Sequence, residues 1–161
     1  MAATSQRQLE IDSFAGARAL LVPINGTTVT LGALTLAARL AQMNRGKVFA
    51  IYVIEVARHL PLEAELPDEI DRSEAIFAQA RDALHERHTV VEFALLQARN
   101  AGATIVDEAV NVQADAIVLG IGEKHHVGDA TLGQTAEYVL KHAPCQVLLC
   151  RTPLSAANVS P

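Results

Sequence analysis

No run of lysines and arginines occurs anywhere in the chain, and the formal net charge at pH 7 is −5. A protein that held nucleic acid through its phosphates would need such a basic surface, so no nucleic-acid partner is expected. No apolar run approaches the roughly 18 residues of a membrane span, and the N-terminus lacks the layout of a signal peptide, so no membrane partner is expected either. Cysteine is scarce: Cys145 and Cys150 are the only two. Spaced along one extended segment, they point to opposite faces and lie beyond disulfide reach, and they read as small core residues of a reduced, cytoplasmic protein. Missing too are a Walker loop, a Gly-x-Ser-x-Gly elbow, and a nucleophile with a histidine at recognisable spacing, so no catalytic residue is assigned. No internal repeat or low-complexity tract divides the chain. At 161 residues and 50% apolar content it suits one domain with its own core.

What is present is alternation. Residues 1–16 carry no sustained period and read as a flexible N-terminal arm, residues 153–161 as a C-terminal tail, and 17–152 as the domain. Arg18 to Ile24 predicts a first strand, apolar enough to be covered on both faces. Asn25-Gly26 ends it, and Thr27, Thr28 or Thr30 can cap the next element. Leu31, Leu34, Ala37, Ala38 and Ala41 recur at three- and four-residue steps, which predicts a helix over 31–43 with Gly46 just past its end. Lys47 to Val56, dense in β-branched and aromatic residues, predicts the second strand. After a loop with Pro61 and Pro67, Asp68 is expected to cap a helix to about Arg87. That helix would pack through Ile70, Phe77 and Leu84, with Ile76, Ala80 and Ala83 beside them. His85 and His88 at its end read as surface residues that complement the dipole. Val90 to Leu96 predicts a third strand and Asn100-Ala101-Gly102 a turn. A helix over 103–112 would then pack Ile105, Val106, Ala109 and Val110.

The last long stretch, Asp115 to Arg151, reads as strand, glycine-bearing loop, helix, strand. Ala116 to Leu119 is apolar and breaks at Gly120; the loop carries Gly122, His125, His126 and Gly128; Pro144 leads into a second apolar run from Gln146 to Cys150. The order βαβαβαβαβ predicts an α/β fold, a single-domain open parallel sheet with helices on both faces. Ligands of such sheets bind beyond the carboxyl ends of the strands, where strand order reverses. The loops 23–28 and 120–128 are the two candidates to flank that crevice. The second has the position of a phosphate loop, because free amides ahead of a helix attract anions. His125 and His126 read as a solvated polar loop or as phosphate contacts when protonated. Asp129 reads as the cap of the last helix or as a weak Mg²⁺ ligand. Glu55, at the end of the second strand, reads as a solvated strand end or as a ligand contact.

The segments LLVPINGT, YVIE, ADAIVLG and above all GQTAEYVLKHAPCQVLLCR resemble the universal stress protein family over nearly all of 17–152. The resemblance implies a Rossmann-like five-stranded sheet of order 3-2-1-4-5, similar to that of the adenine-nucleotide α-hydrolases. It also implies a homodimer paired through the last strand, Gln146 to Arg151, which fits the tendency of exposed apolar edge strands to be paired. Family members that bind ATP carry glycine, two residues, glycine, nine residues, glycine, then serine or threonine, with an aspartate ending the first strand. Here Gly120 and Gly133 match. Glu123 stands at the second glycine with Gly122 one place early, Gln134 replaces the hydroxyl residue with Thr135 one place late, and Asn25 replaces the aspartate.

Pro23, Ile24, Asn25, Val53, Gly120, Gly122, Gly133, Gln134 and Thr135 are therefore the candidate nucleotide contacts, with Val53 implied beside an adenine ring. A carboxylate about 4 Å from a phosphate costs a few kcal/mol at an effective dielectric near 20, enough to weaken binding more than about a hundredfold. The expectation is a non-enzymatic, homodimeric stress-response domain with a degraded nucleotide crevice, acting through an unknown protein partner or a small ligand. Its competitors are a switch that binds ATP or another adenine nucleotide with Mg²⁺, and a weak nucleotide hydrolase.

Overall fold

The computed structural model describes residues 16–122 and 133–151. Glu123, His125, His126, Gly128 and Asp129, the arm before Gly16 and the tail after Arg151 lie outside the described residues. Strands and helices alternate: β1 (Ala19–Pro23), α1 (Thr28–Asn44), β2 (Lys47–Glu55), α2 (Pro67–Leu84), β3 (Val90–Ala98), α3 (Ala101–Asn111), β4 (Ala116–Ile121), α4 (Gln134–His142) and β5 (Gln146–Arg151). The strands pair in parallel in the order β3-β2-β1-β4-β5.

The period of two along β1 decides the layering. Leu20 and Val22 join a core on one face with Leu34, Ala37 and Ala41 of α1 and Ile76, Ala80 and Leu84 of α2. Leu21 faces the other way, into a core with Ile105 and Ala109 of α3 and Ala136 and Val139 of α4. Leu20, Leu21 and Val22 are each 0% exposed, so β1 has no solvent face, which accounts for its uninterrupted apolar run. Burying one such side chain is worth about 1.5–3 kcal/mol, which makes β1 the anchor of both layers. The chain leaves β1 toward the α1 layer and leaves β4 toward the α4 layer. β1 and β4 are neighbours, and a crevice opens between their departing ends.

Several local expectations are corrected. β4 does not break at Gly120: it runs to Ile121, with Gly120 paired to Cys150 and Ile121 to Arg151. A glycine is needed there because a Cβ would stand 2.8 Å from the Val29 carbonyl oxygen, where β4 passes the start of α1. α1 begins at Thr28 with Thr27 as its cap, three residues before its apolar period starts. Asp68 does not cap α2: Leu66 holds that place, Pro67 opens the helix, and Asp68 and Glu69 sit in the first turn. Asn100 to Gly102 is no turn, since Asn100 caps α3 and Gly102 is buried in its first turn.

The expected helix faces hold in most positions: Ile76, Ala80, Leu84, Ile105 and Ala109 are buried and Phe77 and Val106 pack against the cores, but Ile70, Ala83 and Val110 do not. Ile70 is 41% and Val110 61% exposed, while α2 packs through Ser73, Ile76, Ala80 and Leu84. His85 is the last cap of α2 and His88 lies beyond the helix. Cys145 precedes β5 and packs toward one core while Cys150 packs toward the other, both only half-buried. Burial raises both thiol pKa values, with the Asp115 charge adding to it at Cys145.

Candidate functional site

The crevice at the β1–β4 divergence encloses about 660 Å³, within the range of small-molecule sites. Pro23, Ile24, Asn25, Val53, Gly120, Gly122, Gly133, Gln134 and Thr135 all line it. The topology brings them together from the ends of β1, β2 and β4 and the start of α4. Sequence reasoning missed Tyr52, Leu119, Ile121 and Ala136, and from α3 also Ala101 and Ile105. The strand residues could have been found as neighbours of those named. The α3 residues carry no local signal, because only the crossover to the second face brings that helix over the crevice. Thr27, Thr28, Val29 and Thr30 complete the wall on the α1 side.

Three helix starts open on this crevice, and their hydrogen-bond states differ. At α1, Asn25 Oδ1 accepts from Thr27 Oγ1 at 2.7 Å, Thr30 Oγ1 at 2.9 Å and the Thr27 amide at 3.1 Å. Thr27 Oγ1 in turn accepts from the Thr30 amide at 3.4 Å, and Thr30 Oγ1 from the Asn25 amide at 3.2 Å. At α3, Asn100 Oδ1 accepts from the Ala103 amide at 2.9 Å, and Glu55 Oε1 from the Ala101 amide at 2.8 Å. Glu55 is thus neither a bare strand end nor a free ligand group; it closes the α3 start. At α4 the cap is Gly133, and no side chain among the described residues bonds the amides behind it. Gly133 has φ 83° and ψ 152°, a conformation open essentially to glycine alone. Gln134 and Thr135, exposed in the first turn, present their polar groups there. Of the three helix starts, α4 is the one with no side-chain cap among the described residues, so its first-turn donors and its dipole can face an anion.

The other end of the crevice is a strand edge. Ile51 accepts from the Ile24 amide at 2.8 Å, so the peptide groups of Ile51 face β1. In a parallel ladder, peptide groups alternate sides residue by residue, so those of Val53 face the same way. The β1–β2 register ends at the pair Pro23 and Ile51. Val53 therefore offers one N–H and one C=O to the crevice, with no hydrogen bond to either from β1. Tyr52 donates its hydroxyl to Glu69 Oε2 at 3.2 Å, and its pKa is raised, chiefly by burial and next by the Glu69 charge.

The loop between β2 and α2 is tied away from these groups. Arg99 Nη1 donates to the carbonyls of Val56, at 3.1 Å, and Ala57, while Nη2 donates to that of Leu60 at 2.7 Å. Gln97 Nε2 holds Ala64 O at 3.0 Å. No residue of that loop lines the crevice. Among the described residues no group of three or more His, Cys, Asp or Glu side chains could hold a metal ion, and no helix is long and apolar enough to cross a membrane.

The sequence profile of the universal stress protein family matches residues 16–151. A universal stress protein of Methanocaldococcus jannaschii is 31% identical over 141 residues, covering 83% of this chain and 82% of that one. The universal stress protein from Archaeoglobus fulgidus has a similar fold, with TM-score 0.71 and 21% identity over 83% of this chain and 98% of that one. A structure of the A. fulgidus protein in complex with dAMP matches with TM-score 0.67 and 20% identity, covering 84% and 98% of the two chains. Profile, sequence relative and fold agree, and the chain belongs to the universal stress protein family.

Proposed function

We propose that this protein is a non-enzymatic stress-response regulator whose crevice binds an adenine nucleotide more weakly than the ATP-binding members of its family. What carries this conclusion is the order of chemistry along the sheet. β2 offers Val53 N–H and C=O side by side, the complement of an adenine edge with its ring nitrogen and amino group. β1 supplies Asn25 in the middle, and the β4–α4 side supplies Gly120, Gly122 and the uncapped start of α4 for phosphate. Base, sugar and phosphate thus map onto β2, β1 and β4 in turn. The dAMP bound by the A. fulgidus relative is a ligand of this class.

The described walls carry no carboxylate, lysine, arginine or histidine, so they hold no acid–base pair for hydrolysis and no cage for Mg²⁺. Any magnesium would arrive on the phosphates. Gln134 in place of a hydroxyl residue, Glu123 in place of a glycine and Asn25 in place of an aspartate are the departures that weaken the site. The protein acts as a homodimer through β5, an edge strand with Leu149 37% exposed.

Denaturing the purified protein and chromatographing the supernatant for adenine nucleotide tests the reading, followed by calorimetric titration of the nucleotide-free protein with AMP and Mg-ATP. Saturable submillimolar binding, lost in Gly133→Arg, is the expected result; no response at several millimolar overturns it. Linear ADP release abolished by the same substitution would overturn the non-enzymatic part. Sedimentation as a monomer at tens of micromolar would overturn the dimer.

A further inference from the structure

Asn25 occupies the middle of the crevice, and its side-chain amide has a fixed orientation. The Thr27 backbone N–H can only donate, and it reaches Asn25 Oδ1 at 3.1 Å, so the oxygen and not the nitrogen faces the α1 start. The Thr27 hydroxyl at 2.7 Å and the Thr30 hydroxyl at 2.9 Å approach the same oxygen. Two lone pairs cannot serve a fourth donor well, so Oδ1 is saturated from within the protein. Asn25 is exposed, and its Nδ2 makes no hydrogen bond among the described residues. What residue 25 shows to a ligand is therefore a donor. An aspartate there would have one oxygen in the same internal role, but its second oxygen could only accept.

Building on the nucleotide reading above, in which residue 25 faces the sugar, we propose that Asn25 reverses the hydrogen-bond polarity of the sugar subsite. The class of ligand this selects is an adenine nucleotide whose ribose oxygens act as acceptors. Such an oxygen needs no proton of its own, so nucleotides with O-alkylated or phosphate-esterified 2′ and 3′ positions are accommodated at residue 25 alongside the free diol. A carboxylate at this position requires a hydroxyl proton from the ligand and repels any ester charge placed beside it. The uncharged walls act in the same direction: Thr27, Thr30, Tyr52 and Ala101 bring no formal charge to the middle of the crevice.

The test is a comparison of ratios by calorimetry, using AMP and 2′,3′-di-O-methyl-AMP with the wild-type chain and Asn25→Asp. Aspartate keeps an acceptor for Thr27 and Thr30, so α1 retains its start and the variant folds. The methyl groups are the same in both proteins, so their bulk cancels when the two ratios are compared. The ratio of dissociation constants, methylated over free, is expected to be at least tenfold larger in Asn25→Asp than in the wild type. Equal ratios in the two proteins, with AMP bound by both, would overturn the inference and leave the nucleotide reading standing. Absence of AMP binding to the wild type would overturn both.

Discussion

The start of α1 and the start of α4 both line one crevice. Yet the first is closed by its own side chains and the second, among the described residues, is open. Around α1, one asparagine oxygen collects three donors, and two threonine hydroxyls bond backbone amides. Around α4, no side chain among the described residues caps the helix, and a glycine at φ 83° turns the chain into it. A helix start whose donors are already bonded contributes to folding, whereas one whose donors are free contributes to binding. On the proposed function, the β1 side holds the crevice in shape and the α4 side takes the anion.

The sharpest way to break that contrast is Asn25→Ala. It leaves the Thr27 amide and hydroxyl without their shared acceptor, while the 7%-exposed Thr30 hydroxyl keeps only the Thr27 carbonyl at 3.1 Å. Unmet donors at a partly buried site cost about 2–3 kcal/mol in total, or roughly 5–10 °C in Tm for a chain of this size. Thermal unfolding followed by circular dichroism measures it; a loss no greater than that of a surface substitution would show that the α1 start is not a structural device.

Gly133→Ala comes next. A Cβ at Gly133 meets none of the described residues within 4 Å, so the change tests backbone conformation more than crowding. Alanine at φ 83° and ψ 152° is strained by about 1–3 kcal/mol. Relief of that strain is expected to turn the α4 amides away from the crevice. The expected result is a Tm lower by a few degrees together with AMP affinity down at least tenfold. Unchanged affinity with lowered stability would move the anion seat away from α4.

Much of this architecture was legible in the sequence, for a physical reason. Strands buried on both faces, such as Leu20 to Val22, must be apolar at every position, and that signal survives without knowledge of partners. The site positions were legible because glycines and the Asn25-Gly26 pair mark backbone that only certain residues allow. What could not be read were states set by contacts from afar. Nothing near Glu55 announces that it caps a helix 46 positions on. Nothing near Gly120 says that the strand continues through it because β5 pairs there and α1 crowds it. Nothing near Ile70 and Ser73 says that the first lies outside and the second inside, where its hydroxyl is satisfied by the Ile70 carbonyl at 2.6 Å.

Arg99→Met sharpens the contrast from a third region. Its guanidinium gathers three carbonyls of the segment after β2, outside the crevice. Replacing it keeps the aliphatic stem and removes every one of those donors. Stability should fall by about 1 kcal/mol, since the group is partly solvated and water replaces some of the bonds. Trypsin or thermolysin should then cut between residues 57 and 66 several times faster, with AMP affinity unchanged. Weakened binding instead would extend the crevice to that loop.

The smallest effect expected is that of Gln134→Ala, and it discriminates most finely between the two helix starts. Gln134 is the first residue of α4 and is exposed. Alanine has the higher helix propensity and removes no cap, so stability should move by less than about 0.5 kcal/mol and in either direction. Affinity for AMP should still fall about three- to tenfold, because one donor at the anion seat is worth on the order of 1 kcal/mol. Asn25→Ala should show stability and affinity falling together; Gln134→Ala should separate them. A Gln134→Ala protein that loses several degrees of Tm would mean that α4, too, depends on its own side chains to begin, and the open start would then be a closed one.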